Sequence, residues 1–230
     1  MAGQVLREIG KAVRPGVNTK ELDILAERLI RDAGALPTFL GYRGYCAAIC
    51  ASVNEEVVHG IPDSRKFLKE GDIVGIDVGV THGGFVGDTA ATFPVGKISP
   101  ETQALLDGTK ISLEKGIEQA RAGNRLGDIS HAVQSYAESK GFGVVRDFVG
   151  HGIGRQMHEE PAVPNYGQPG TGIRLEVGLV LALEPMLTAG TWKVQVLDDG
   201  WTVVTEDKRW SAHFEHTVAI TSNGPEILTV

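Results

Sequence analysis

Apolar residues recur with helical spacing at two places near the start of the chain. Residues 3 to 13 carry an apolar side and predict a first helix, which Pro15 and Gly16 end. A second helix is predicted to follow, with Thr19 as its cap and Gly34 at its end. Both helices should place one apolar face on a core.

Alternating and β-branched patterns predict strands further along. Residues 45 to 59 indicate a hairpin or paired strands, and residues 71 to 96 predict a hairpin that turns at Thr81 to Gly84. Ser99-Pro100 marks the start of a long helix that should reach about residue 122, because serine suits the cap and proline the first helical turn. The pattern therefore combines helices with antiparallel strands, an α+β fold.

Part of this plan recurs in the second half of the chain. Two helix-ending glycines and one acidic strand residue reappear after 107 positions, Gly16, Gly34 and Asp77 matching Gly123, Gly141 and Glu184. We interpret the coincidence as an internal duplication with pseudo-two-fold symmetry. No linker-like stretch separates the halves, so residues 1–230 are expected to form a single domain with halves of about 1–98 and 99–230.

Composition and charge narrow the class of protein. The formal charge of −7, with no basic run, argues against direct nucleic-acid binding. The most apolar segment, 177 to 187, is too short to cross a bilayer, and the charged N-terminus does not resemble a signal peptide. Two cysteines, Cys46 and Cys50, make no disulfide framework. We expect a cytoplasmic protein with no membrane association.

Five residues with metal-binding side chains are the main chemical signal. Four carboxylates interrupt apolar, strand-like segments, and one histidine stands between glycines; the five are Asp77, Asp88, His151, Glu184 and Glu215. Buried carboxylates close together repel one another and do not stay charged without compensation. Two divalent cations would balance them, and a dinuclear site usually serves hydrolysis.

Each of these residues also has a plainer interpretation. Asp77 and Asp88 also fit buried aspartates that cap a loop or bond to backbone amides. Glu184 fits a surface carboxylate at a strand end, and Glu215 a solvent-facing row on an edge strand. A lone histidine such as His151 is more often structural than metal-binding. Four separate acidic intrusions into apolar strands favour the metal site over these alternatives.

The sequence positions of the other histidines divide them into two groups. His158 follows His151 by seven residues, and His59 stands at a Gly-Ile-Pro turn, so either side chain could meet a substrate. His213 shares the predicted face of Glu215, whereas His216 points the other way. His82 and His131 are expected in solvent.

The types of ligand atom also indicate which metal ions suit the site. Oxygen donors with one nitrogen and no thiolate suit Mn²⁺, Fe²⁺ or Co²⁺, and catalytic Zn²⁺ stays open. A water between two such ions loses a proton near neutral pH, so no serine or cysteine nucleophile is needed. No phosphate-binding or serine-hydrolase fingerprint competes with this interpretation.

The motifs around these residues resemble those of type I methionine aminopeptidases. VNEEVVHGIP, DVGVTHGGFVGDTAATFPVG, FVGHGIGRQMHEEP, LALEPM and SAHFEHTVAIT match in order, from about Pro15 to Ile220. The resemblance implies the pita-bread fold, a curved antiparallel sheet backed by helices with internal pseudo-two-fold symmetry. It implies removal of the N-terminal methionine from nascent proteins, with a small second residue preferred, and allows transient ribosome association by a monomer.

The resemblance also implies residue roles. Asp77 would bind one metal and His151 the other, with Asp88 and Glu215 bridging the pair. Glu184 would ligate the second metal and carry the proton from water to the leaving amine. His158 would stabilise the carbonyl oxygen, and His59 would contact the scissile amide nitrogen.

The pocket for the first side chain is expected to be apolar. The resemblance assigns it to Phe39, Tyr42, Tyr45, Cys50, Met157 and Trp201. Phe39 and Met157 depart from the cysteine and phenylalanine that are common at these places in the family, and His213 replaces a usual glutamine. These departures bear on methionine selectivity and on the site's titration rather than on hydrolysis. The chain also lacks part of the N-terminal helical segment that is usual in this family.

Two other functions compete with this one. An Xaa-Pro aminopeptidase or prolidase shares the implied fold, but such relatives normally carry a large N-terminal domain for which this chain has no room. A catalytically inactive binding module would be expected to lose ligands, and all five candidates are present.

Overall fold

Helices and antiparallel strands alternate along the chain, and the computed structural model describes residues 1–230. The helices are α1 Ala2–Ala12, α2 Thr19–Asp32, α3 Pro100–Gln119 and α4 Leu126–Ser139. The strands are β1 Leu36–Pro37, β2 Cys50–Val53, β3 Glu56–Val58, β4 Ile73–His82, β5 Phe85–Pro94, β6 Gly143–Val144, β7 Gly150–Gly152, β8 Glu159–Val163, β9 Val180–Leu183, β10 Met186–Thr188, β11 Val194–Val196, β12 Val203–Thr205, β13 Ser211–His213, β14 Glu215–Thr221 and β15 Gly224–Ile227. No helix is both long and apolar enough to span a membrane.

A curled antiparallel sheet forms the centre of the molecule. Its strand order is β1-β4-β5-β14-β9-β7-β8, with β2 added beside β4 and β15 beside β14. Two three-stranded sheets, β13-β10-β6 and β11-β12-β3, complete the strand structure. The predicted α+β class with a curved antiparallel sheet backed by helices is confirmed.

The N-terminal helices cover the apolar side of β4. Alternation along this strand directs Val74, Ile76 and Val78 into a buried cluster with residues of α1 and α2. The cap of α2 differs from the sequence expectation. The side chain of Asn18 accepts from the backbone N–H of Glu21 at 3.0 Å, so Asn18 is the cap and Thr19 is the first helical residue. Either polar residue suits a cap, and only the backbone decides between them.

The hairpin of β4 and β5 has the predicted bounds and turn. Its register runs from Ile73 opposite Pro94 to His82 opposite Phe85. Gly83 and Gly84 occupy the turn with φ of 58° and 81°, a region that favours glycine. In contrast, β2 and β3 do not form a ladder with each other, because β2 pairs with β4 and β3 pairs with β12. The expected strands are present, but their partners are distant in sequence.

The offset of 107 residues also holds in three dimensions. Helix α2 spans Thr19–Asp32 and α4 spans Leu126–Ser139, while β4 and β9 begin at Ile73 and Val180. Isolated β-bridges join Asn18 to Phe67 and, at the same offset, Arg125 to Arg174. The prediction of internal pseudo-two-fold symmetry is confirmed. Helix α3 ends at Gln119, slightly earlier than expected, and both cysteines are free thiols.

Candidate active site

Five neighbouring strands each bring one of the five metal-binding candidates to the same side of the central sheet. Asp77 lies on β4, Asp88 on β5, Glu215 opens β14, Glu184 directly follows β9, and His151 lies on β7. The strand order β4-β5-β14-β9-β7 therefore sets the five side chains across the sheet in an unbroken row. All five line a single cavity of about 160 Å³.

The strand register explains why the carboxylates converge. Asp77 stands opposite Ala90, and Asp88 stands opposite Gly79, two residues away on each strand. Because side chains alternate, residues two apart share a face, and the two aspartates lie diagonally on the same side. Glu215 pairs with the other edge of β5, also opposite Ala90. Ala90 and Gly79, which stand opposite the acids, are small, so the carboxylates have room on this side of the sheet.

His151 is oriented with one ring nitrogen towards the carboxylates. Its Nδ1 lies 2.8 Å from the carbonyl oxygen of Gly152. A carbonyl only accepts, so Nδ1 carries the proton and Nε2 presents its lone pair. Nε2 lies 3.6 Å from Oε1 of Glu184 and 3.9 Å from Oδ2 of Asp88. Ligand atoms of Asp88, His151 and Glu215 all fall within 4.8 Å of one another.

The carboxylates are costly to hold as anions in this place. Burial raises the pKa of Asp77 to about 7. Burial, and then the charges of neighbouring carboxylates, raise the pKa values of Asp88, Glu184 and Glu215 well above their ordinary range. To be held together as anions, four such carboxylates would need a strong positive partner.

Three oxygens of these carboxylates lack hydrogen bonds, which indicates what kind of positive partner suits them. Oδ1 of Asp77, Oδ1 of Asp88 and Oε1 of Glu215 are buried and accept no hydrogen bond. Buried acceptors are rarely left unpaired in proteins. Oxygen and nitrogen donors with open lone pairs, converging on one point, fit divalent cations and not a protein donor. The residues present therefore suit a metal site.

An apolar wall encloses the other side of the cavity. Four residues of the predicted pocket are buried together as one cluster, Phe39, Tyr45, Cys50 and Met157, with Tyr42 and Trp201 packed against them. The hydroxyl of Tyr45 donates to the carbonyls of Ile49 and Gly60, each at 3.1 Å, which fixes the ring. The cavity thus combines an ionic end with an apolar end.

His158 reaches the cavity from the loop after β7. Its Nδ1 lies 2.8 Å from the hydroxyl of Tyr42, the two rings are stacked with centroids 5.4 Å apart, and the centroid of His151 is 4.3 Å away. Burial, and then the charges of His151 and Arg43, lower the pKa of His158 to about 4. The imidazole is therefore neutral at neutral pH.

His59 directly follows β3 and also lines the cavity. It has φ of 59°, a left-handed conformation that is uncommon outside glycine, and its ring packs edge-on against Phe148 and Trp201. Burial lowers the pKa of His59, so this ring is also neutral at neutral pH. All thirteen sequence-predicted site residues line this one cavity.

Two further residues belong to the site's surroundings. Arg43 lines the cavity, and the sequence patterns did not single it out; its only signal was adjacency to Tyr42. His213 is buried, with Nε2 unpartnered and 3.9 Å from Oε2 of Glu184. Burial lowers the pKa of His213 to about 3. His216 instead bonds Thr229 at 2.9 Å behind the sheet.

The sequence is similar to known peptidases over its whole length. The model of the family described as Metallopeptidase family M24 matches residues 1–222. A methionine aminopeptidase of Clostridium acetobutylicum is 54% identical over 230 residues, which are 100% of this chain and 92% of that protein. Methionine aminopeptidase 1 of Bacillus subtilis is 54% identical over 222 residues, 96% of this chain and 89% of that protein.

Solved structures agree with these relatives. The methionine aminopeptidase of Thermotoga maritima superposes with a TM-score of 0.98 at 49% identity, covering 99% of this chain and 92% of that one. A prolidase of Pyrococcus furiosus reaches a TM-score of 0.78 at 21% identity, and this chain covers 60% of it. The prolidase likeness shows the fold alone.

These similarities show the family to which the chain belongs and the members of that family that it matches over its full length. The chain belongs to metallopeptidase family M24, with the pita-bread fold, and it is a metal-dependent hydrolase. Within that family its full-length similarity is to methionine aminopeptidases.

Proposed function

We propose that the protein is a single catalytic domain that removes the N-terminal methionine from peptides and nascent polypeptides with a small second residue. The observation that carries this proposal is the row of five donors on five neighbouring strands, facing an apolar cluster across one cavity. The ionic end suits a hydrolytic metal site, and the apolar end suits one unbranched apolar side chain. Relatives about half identical over the whole chain bear the same activity in their names.

Two divalent cations, with Mn²⁺, Fe²⁺, Co²⁺ and Zn²⁺ as candidates, would be held by these donors. Asp77 would hold one and His151 the other, while Asp88 and Glu215 would lie between them. The unpaired oxygens of Asp77, Asp88 and Glu215 support this assignment. When bound, such a pair lowers the pKa of water towards neutrality and polarises a carbonyl.

Glu184 is proposed to move the proton. Its Oε1 faces His151 at 3.6 Å, and its Oε2 faces His213 at 3.9 Å, so the two oxygens have different surroundings. Burial raises its pKa, which suits a group that accepts a proton from the attacking water and gives it to the leaving amine. The negative charge of Asp77 adds to that shift.

His158 and His59 are proposed to hold the scissile bond. The hydroxyl of Tyr42 lies 2.8 Å from Nδ1 of His158. In the proposed role this hydroxyl would donate to Nδ1, which would leave the ring proton on Nε2 for donation to the carbonyl oxygen. A donor aimed at the developing negative charge is usually worth more than one aimed at the substrate ground state. His59, fixed edge-on between two aromatic rings, would contact the scissile amide nitrogen.

The apolar cluster is proposed to select the first residue. Met157 and Cys50 offer polarisable sulfur, and Phe39 and Tyr45 limit the length of the pocket. Phe39 packs where β4 carries a glycine: a side chain at Gly79 would meet the Phe39 ring. That close fit keeps the larger residue at position 39 compatible with the pocket.

The test is release of the first residue from two peptides, Met-Ala-Ser and Ala-Pro-Ala. The protein is first stripped with chelator, and then titrated with Mn²⁺ or Co²⁺ while bound metal is counted. We expect release of methionine alone, rising with metal and saturating near two ions per chain. The exposed Asp32 supplies a matched control, since D32N should behave as wild type while D77N loses metal and activity.

Cleavage of the proline peptide alone would move the protein to the prolidase branch. A folded protein that binds no metal and cleaves neither peptide would instead be a binding module. Saturation at one ion would contradict the dinuclear assignment and leave methionine release standing.

A further inference from the structure

Arg43 carries the one permanent positive charge in the lining of the cavity. The other thirteen lining residues are carboxylates, histidines, aromatic residues, Cys50 and Met157. None of the steps proposed above uses Arg43. An arginine stays charged at every relevant pH, so its charge acts on any ligand that passes it.

The backbone fixes Arg43 at the rim. It has φ of 49°, a left-handed conformation that is unusual for a side chain of this size, and lies in a turn between Gly41 and Gly44, whose φ values are also positive. The turn is closed by bonds from Gly41 N–H to the Tyr45 carbonyl at 2.8 Å and from Tyr45 N–H to the Tyr42 carbonyl at 2.9 Å. A residue held in such a conformation points to a functional constraint.

The guanidinium has no ionic partner within the chain. It lies 5.4 Å from the centre of the Tyr42 ring and forms neither a hydrogen bond nor an ion pair with another residue. Tyr42 in turn bonds His158 at 2.8 Å. Arg43 therefore stands one side chain away from the group proposed to hold the scissile carbonyl, with its donors free.

The proposed function fixes the direction of the peptide past this rim. The amine end enters towards the carboxylates, the first side chain fills the apolar cluster, and the remaining chain leaves by the mouth. The second residue is small, so the third is the first that can present a carboxylate to Arg43. We propose that Arg43 selects peptides with an acidic third residue, an inference that rests on the proposed function.

The test compares Met-Ala-Asp amide with its isostere Met-Ala-Asn amide on the metal-loaded protein. We expect kcat/KM to favour the aspartate peptide by about two- to five-fold, the range for an exposed ion pair. The preference should shrink in 0.5 M salt, because salt screens exposed charges. In R43Q the ratio should fall to about one, and in R43K it should lie between the two.

The control is R28Q, which removes the same charge from an exposed arginine of α2. It should keep the wild-type ratio, since Arg28 does not line the cavity. A wild-type ratio of one or less, or an unchanged ratio in R43Q, overturns the inference about Arg43 alone. Release from neither peptide overturns the proposed function, and this inference with it.

Discussion

The two halves of the chain, about residues 1–98 and 99–230, contain related elements but differ in the length of the strands next to their acidic residues. In the first half, β4 and β5 form an uninterrupted hairpin whose strands have ten residues each, and two acids stand diagonally on one face. In the second half the strand equivalent to β4 has four residues, and Glu184 stands just past its end, before Pro185. Proline gives no N–H to a ladder, so the strand stops there.

The two halves therefore differ in how much strand pairing holds the side chains that they contribute. The first half fixes Asp77 and Asp88 within continuous pairing, whereas the second half contributes His151 from a three-residue strand and His158 from the loop beyond it. Among the metal-binding residues, Asp77 and Glu184 occupy equivalent positions at the offset of 107, while the strands β4 and β9 differ in length.

The largest expected effect is a loss of catalytic rate, without loss of stability, when Glu184 of the second half is replaced. E184Q should lower kcat by about 10²- to 10⁴-fold, the range for losing a proton-transfer group. The chelated variant should melt no lower than chelated wild type, because glutamine has nearly the shape of glutamate and burial penalises the charged form of the carboxyl group. E138Q, an exposed glutamate of α4, is the control for rate and melting temperature. A variant that retains a tenth of kcat would remove Glu184 from the proton path.

A second comparison tests the cores behind the two halves. Ile76 and Leu183 occupy equivalent positions at the offset of 107, and both are buried. I76A and L183A should each lower the free energy of unfolding by about 2–5 kcal/mol. We expect the larger loss for I76A, because its cluster of 17 buried residues exceeds the 11 around Leu183. Denaturant unfolding measures both, and a larger loss for L183A would contradict the expectation from the larger buried cluster of the first half.

The melting temperature of the chelated protein should depend on pH through the buried carboxylates. A carboxylate whose pKa is raised on folding stabilises the fold below its unfolded pKa, near 4, and loses that contribution as pH rises through the folded value. For Asp77 the folded value is about 7. The melting temperature of chelated protein should therefore fall by several degrees between pH 6 and 8.

Metal should reverse this trend, because the ligands bind as anions and metal affinity rises with pH. In Mn²⁺ the melting temperature should stay level or rise over the same range. Chelated D77N should show a shallower fall than chelated wild type. An identical slope in D77N would show that other groups govern the pH dependence.

The smallest expected effect lies at the two equivalent helix starts. The Asn18 side chain caps α2 at 3.0 Å, while Arg125, its counterpart at α4, makes no such bond. N18A should destabilise the protein by about 1 kcal/mol, and R125N should stabilise it by a similar or smaller amount. The bond from Arg125 to the Gly172 carbonyl, at 2.8 Å, opposes part of that gain. Thermal unfolding of both variants tests the asymmetry, and equal changes of one sign would contradict it.

Local patterns predicted much of this fold. The apolar periodicity of α1 and α2, the glycine turn of the β4–β5 hairpin and the Ser-Pro start of α3 are local signals, and each element formed close to its predicted bounds. The five donors were recognisable because charged residues inside apolar strands are costly and so stand out. Arg43 did not stand out, because a charged residue in a glycine-rich turn is ordinary.

The sequence by itself determined the helices, the hairpin, the repeat and the types of donor, because these depend on contacts between near neighbours or on residue chemistry. Only the tertiary structure decided that β2 and β3 pair with β4 and β12, that Asn18 caps α2, and that five donors from residues 77 to 215 stand on adjacent strands. Strand order and cavity lining depend on pairings between residues far apart in the chain. No local pattern encodes such pairings, and the packed core selects among them.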